Sequence, residues 1–138
     1  MVMLFDLFNL PEDVYEVIFA TKQQAIVGKL LIREMKKKNG VMNKAEMSEF
    51  ATLLHDGEMI TEIEAPPYMG KKVKLSYNKR QFYDRILTPM KSMGMIDYDL
   101  YKKVYRVSDN LNKVLTKIGI MWMQEFRKEL TKESKKSL

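Results

Sequence analysis

The stretch 77–108, YNKRQFYDRILTPMKSMGMIDYDLYKKVYRVS, reads as one helix running directly into one hairpin, and the rest of the chain is organised around it. From Asn78, a residue suited to cap a helix N-terminus, apolar side chains recur at Phe82, Ile86, Met90 and Met93. That is the three-to-four spacing of a helix with one buried face. At about 100° per residue, Tyr77, Gln81, Asp84 and Thr88 fall on the opposite, polar face, flanked by Arg80 and Arg85. Gly94 ends the helix. Pro89 interrupts it earlier, removing an N–H and crowding the preceding turn, so a kink or a restart capped by Thr88 is expected, with Arg80 to Arg85 left straight. Beyond the glycine, 95–98 and 104–107 are rich in strand formers and their link carries Lys102 and Lys103, the pattern of a hairpin with a basic tip.

Working outward, Leu10-Pro11-Glu12-Asp13 opens a short helical stretch with Val14, Val17 and Ile18 on its apolar face. Thr21 to Gln24 has the form of a capping box, and Ala25, Ile26, Leu30, Leu31 and Met35 form the stripe of a longer helix ending near Asn39-Gly40. Lys36, Lys37 and Lys38 suit the negative end of its dipole. After a brief extended link at Val41-Met42, Asn43 to Glu46 repeats the capping box, and Ala45, Phe50, Leu53 and Leu54 mark another helix. Between it and Tyr77, 59–63 and 73–77 read as a second hairpin around Pro66-Pro67 and Gly70. Its acidic limb (Asp56, Glu58, Glu62, Glu64) either pairs with the basic one (Lys71, Lys72, Lys74) or leaves those lysines to a phosphate backbone. The final helix opens at Ser108-Asp109 and runs past Leu130 into a charged tail at 132–138.

An apolar helix end, Gly-Met-Ile at 94–96, a polar tip, then Tyr-x-Val-Ser at 105–108 opening another helix resemble the winged helix-turn-helix regulators. The resemblance spans Thr21 to Leu130 and implies a mainly α fold with a small β-hairpin (α+β). Asn78 to Met93 would be the recognition helix, with the helices from Thr21 and Asn43 as the other two of the trihelical core, and Lys102 and Lys103 on the wing. One domain over 1–138 is implied: an N-terminal extension 1–20, a core 21–108 with an insertion 55–76, and a C-terminal helix 109–138. The insertion departs from the family pattern, which places a turn of about three or four residues before the recognition helix.

Composition narrows the chemistry. The 138 residues carry 46% hydrophobic and 30% charged side chains, enough for an unaided core. There is no cysteine, so no disulfide or thiolate site, in keeping with a reducing cytoplasm. The 1–10 segment lacks the basic flank of a signal peptide, and no run reaches membrane-spanning length. The single His55 supports neither a Ser-His-Asp constellation nor a histidine-ligated metal. His55-Asp56-x-Glu58 with Glu62 reads as a polar helix end and loop. Gly28 and Gly70 precede lysines without the remainder of a phosphate-binding loop. No enzyme and no cofactor is expected.

The net charge is +6, and between Lys71 and Arg106 only Asp84, Asp97 and Asp99 offset ten basic side chains. Clustered Lys and Arg neutralise phosphates and release counterions. Together with the resemblance, this implies sequence-specific binding of double-stranded DNA by a transcriptional regulator. Asn78, Arg80, Gln81, Asp84, Arg85 and Thr88 would face the major groove, and Lys79, Lys102 and Lys103 the phosphates. In the C-terminal helix, Leu111, Val114, Ile118, Met121, Trp122 and Phe126 belong to an apolar arc wider than one core needs, which fits a homodimer interface. A methionine-lined pocket between the terminal helices would suit a small apolar effector. The alternatives are a winged-helix subunit docking onto protein in a transcription or replication assembly, and an architectural DNA binder with little sequence preference.

Overall fold

The computed structural model describes residues 6–63 and 71–136; the side chains of 60–73 and 129–136 lie outside that description, as does the expected turn at Pro66-Pro67 and Gly70. Helix α1 (Val14–Ile18) begins where the Asp13 carboxylate accepts the Tyr15 N–H at 2.9 Å, so Pro11 lies ahead of the helix. Its Val14 is exposed, and Tyr15 and Ile18 make the contact with the core instead. Helix α2 (Lys22–Lys37) is capped by Thr21, whose hydroxyl accepts the Gln24 N–H, and it buries Ala25, Val27, Leu30, Leu31, Ile32 and Met35.

Gly40 turns the chain out of α2, and Val41–Asn43 becomes strand β1, not the bare link that its sequence suggests. Helix α3 (Lys44–His55) starts on a complete capping box: Asn43 accepts the Glu46 N–H, and the Glu46 carboxylate accepts the Asn43 N–H. Met47, Phe50, Ala51 and Leu54 are its buried residues, while Ala45 is exposed and Leu53 half-buried. The start of the stripe therefore lies two residues later than the expected Ala45.

Strands β2 (Met59–Ile63) and β3 (Lys71–Leu75) pair antiparallel, setting Glu62 opposite Lys72 and Ile60 opposite Lys74. The expected second hairpin is present, in a register two residues earlier on its second limb. A composite helix then runs over 79–92 in three pieces: α4 (Lys79–Phe82), a π-helical turn (Tyr83–Leu87) and α5 (Thr88–Ser92).

Strands β4 (Ile96–Asp99) and β5 (Val104–Val107) form the expected hairpin, and β1 pairs with β5 to give an antiparallel sheet of order β1-β5-β4. Helix α6 (Asn110–Lys136) follows, so 132–136 continue the helix instead of leaving it as a tail. The molecule is thus α+β, with the buried faces of α2, α3 and the composite helix meeting Met42 and Ile96 of the three-stranded sheet in one core.

Candidate functional site

Three contacts seat the N-terminal end of the composite helix. The Tyr77 N–H donates to Leu54 O at 2.9 Å, the Lys79 N–H to His55 Nδ1 at 3.1 Å, and the Gln81 N–H to Asn78 Oδ1 at 3.1 Å. The first two tie the chain to the end of α3, and the third is the Asn78 cap itself. Below them Phe82 packs its ring 5.5 Å from that of Phe50, and Ile86, Leu87 and Met90 are fully enclosed.

The π turn is where the helix accommodates Pro89. A proline has no N–H to donate, and its ring crowds the carbonyl four residues back. Here the Thr88 N–H reaches Tyr83 O, the wider i to i+5 closure that inserts one extra residue into the turn. The expected restart at Thr88 is not found: Thr88 has helical angles (φ −60°, ψ −48°) inside the segment. The run Arg80 to Arg85 includes the start of the π turn at Tyr83. The extra residue buries Leu87 beside Ile86, and Met93 is only half-buried.

Several predicted contact residues do face outward. Arg80, Gln81, Asp84, Arg85 and Thr88 are all exposed, and Arg80 stands 3.9 Å from Asp84 one turn on. Among the described residues Arg85 has no ion-pair partner. Two assignments are corrected. Tyr77 precedes the helix, so helical angular spacing does not apply to it, and its ring is buried. Asn78 is exposed, and its side-chain Oδ1 makes the expected helix cap. Lys79 turns its ammonium back onto α3, where Ser48 Oγ accepts at 3.2 Å and Thr52 Oγ1 at 3.0 Å, and this removes it from the outward set.

At the hairpin tip the Asp99 carboxylate organises the turn. Oδ1 accepts the Tyr101 and Lys102 N–H groups at 2.9 and 3.1 Å, and Oδ2 meets Arg106 at 2.9 Å. The Lys102 N–H first, then the Tyr101 N–H and the Arg106 charge, hold this carboxyl below the usual carboxylate range. Lys103 completes the turn with φ +55°, and Lys102 and Lys103 are both exposed. So are Leu100 and Tyr101, at 76% and 97%, two apolar contacts that attention to charge alone passed over. Of the lysines on β3, Lys74 is exposed, and the side chains of Lys71 and Lys72 lie outside the described residues.

A second feature was not legible in the sequence because it joins distant segments. The Tyr98 and Tyr105 rings lie 4.7 Å apart, with Lys91 5.8 and 5.9 Å from their centres and Lys44 5.5 Å from that of Tyr98. Two ammonium groups over aromatic faces bind the C-terminal turn of the composite helix and the start of α3 to the hairpin. Burial, followed by the neighbouring Tyr83 and Tyr98, pushes the Tyr105 hydroxyl up.

Elsewhere, a cleft of about 220 Å³ lies between α2, β1, α3 and β2, lined by Met42, Met59, Phe50 and Leu53 with Glu34, Glu46, Glu49 and Lys38 at its polar side. Two methionines, Met42 and Met59, line this cleft, and no residue of α1 or α6 does. No group of three or more His, Cys, Asp or Glu among the described residues is placed to hold a metal ion, and His55 is occupied by Lys79. No helix among them is long and apolar enough to cross a membrane. No protein family, curated protein or solved structure was found to match this chain.

Proposed function

We propose that this chain binds double-stranded DNA, with the outward face of the composite helix in the major groove and the β4–β5 hairpin against the backbone, as a non-catalytic transcriptional regulator of winged-helix type. The observation that carries the reading is the exposed row Arg80, Gln81, Arg85 and Thr88 on a helix whose other face is sealed in the core, followed along the chain by a hairpin whose exposed tip bears Lys102 and Lys103. The order helix, short strand, helix, then, after the inserted β2–β3 hairpin, composite helix and β4–β5 hairpin, with the short strand completing a three-stranded sheet, supports the winged-helix type.

A helix fits the major groove, where Arg recognises guanine and Gln adenine through paired hydrogen bonds. Lys102 and Lys103 reach phosphates, which set register without carrying sequence. Asp84 tempers the charge of Arg80 in the free protein and accepts from a cytosine amino group in the complex.

The test is selection from random-sequence duplexes at two salt concentrations, repeated with Arg80→Ala and Arg85→Ala. Recovery of a motif that both substitutions erase, with non-specific binding less affected, supports the reading. Binding without enrichment that falls steeply with salt indicates an architectural role. A second reading, docking onto another protein, is favoured by one observation: Leu100 and Tyr101 present apolar surface at the tip. Absence of DNA binding at the lower salt would move the assignment there.

A further inference from the structure

Among the described residues, helix α6 meets the core through its first turn. The Leu111 N–H donates to Gly94 O at 3.0 Å and Leu111 is half-buried, but every residue from Asn112 to Lys128 is exposed. The helix spans 27 residues, about 40 Å in length. At about 100° per residue, Leu111, Val114, Leu115, Ile118, Met121, Trp122 and Phe126 share an arc of roughly 140°. From Val114 onward these side chains are 45% to 66% exposed. Among the described N-terminal residues, Leu7, Phe8 and Leu10 are themselves exposed and do not cover them.

We propose that this face is an interface with a second copy of the same chain, the two α6 helices packing antiparallel and crossing at Ile118, which lies at the centre of the arc.

The apolar segment 111–126 has its midpoint between Ile118 and Gly119. A two-fold axis there brings Leu115 of one copy to Trp122 of the other and sets the two Ile118 side chains against each other at the crossing. The opposite polarity is disfavoured by Glu125, which sits inside the arc. Parallel packing would place the two Glu125 carboxylates against each other, whereas the antiparallel pair separates them by about 20 Å along the axis. The surface suffices for a moderate interface: roughly 100 Å² from each of the six exposed side chains is on the order of 600 Å² per chain, below the ~800 Å² per partner of a standard interface and at the upper end of the weak, transient class.

The full-length chain is suited to the test, because it contains no cysteine and a single tryptophan. Sedimentation equilibrium should give twice the 16.3 kDa chain mass at micromolar protein, with Trp122 emission shifting to the red on dilution. Ile118→Cys should form an oxidised cross-link with itself, Phe126→Cys should not, and Leu115→Cys should link to Trp122→Cys in a mixture, since a disulfide needs Cα atoms within about 7 Å. Ile118→Glu, which would bury a carboxylate at the centre of the face, should weaken association roughly tenfold or more. A monomer mass at every concentration would overturn the proposal. So would self-linking of Phe126→Cys, which signals parallel packing, or unchanged association of Ile118→Glu.

Discussion

The Nδ1 atom of His55, the last residue of α3, accepts the backbone N–H of Lys79, the first residue of the composite helix, at 3.1 Å. One side chain thereby caps a helix to which it does not belong, and it fixes the angle at which the row Arg80 to Thr88 leaves the body. Lys79 reciprocates with its ammonium on Ser48 and Thr52. His55→Ala should lower stability by about 1 kcal/mol, the usual cost of a lost cap, measured by denaturant unfolding. Under the proposed DNA-binding function, Lys79→Ala should leave the salt dependence of binding unchanged; a slope reduced by about one would place Lys79 among the proposed phosphate contacts.

Gly94 and Gly40 both have φ in the left-handed region, +86° and +79°, but only Gly94 is hemmed in. A Cβ there would lie 2.9 Å from Asn110 Cβ and from the Leu111 N–H nitrogen, while at Gly40 nothing stands within 4 Å. Gly40→Ala should cost about 1 kcal/mol of backbone strain, and Gly94→Ala about 2–3 kcal/mol with a displaced α6. Equal losses in thermal unfolding would show that the approach of α6 to Gly94 is not tight.

Leu87 tests the π turn. At regular α-helical spacing it falls beside the buried stripe, yet it is 2% exposed because the wide turn carries it inward. Leu87→Ala should therefore cost about 2–4 kcal/mol, as for a core leucine. A change under about 0.5 kcal/mol, the value for a surface site, would mean that the turn is regular α-helix.

The hairpin tip should be acid-sensitive. The folded-state value of Asp99 is depressed below the ordinary one of about 3.9, so its contribution is fully present above that value and is lost as pH falls through the lower folded value. The Tyr101 and Lys102 amide resonances should move together in that window; unmoved resonances would rule out the carboxylate as the organiser of the turn.

The contact between Lys38 and Glu46 at 2.7 Å should fail at both extremes of pH. Glu46 is depressed, first by the Lys38 hydrogen bond and then by the Asn43 N–H, so its share is lost as pH falls through its folded value. Lys38 is raised, chiefly by the same hydrogen bond. Its share is complete below the ordinary lysine value and is lost as pH rises through the higher folded one. Lys38→Met should flatten the alkaline limb of a stability profile; an unchanged limb would show that the pair contributes nothing.

What the sequence by itself determined is what neighbours along the chain decide. Thr21, Asn43 and Asn78 cap helices because a short oxygen-bearing side chain reaches an N–H three residues on, and Gly94 stops a helix because it alone accepts the left-handed angle without strain. The buried stripe Phe82, Ile86, Met90 and the strands 104–107 and 59–63 follow from spacing in the same way. Of the candidate site, Arg80, Gln81, Asp84, Arg85, Thr88, Lys102 and Lys103 were legible as outward-facing because their helix face and turn are local properties.

Only the tertiary structure decided the rest, since it depends on partners far away in sequence. Val41–Asn43 is a strand only because β5 lies beside it, more than sixty residues on in the register Met42 to Tyr105. Lys79 leaves the outward set only because α3 offers two hydroxyls, and Tyr77 is buried only because the Leu54 carbonyl draws its backbone inward. The Lys44–Tyr98–Lys91 contacts join three elements that no spacing rule connects. Helix α6 shows the same division: its periodicity fixed which residues form the apolar face, and the packing of the body decided that this face would be left uncovered.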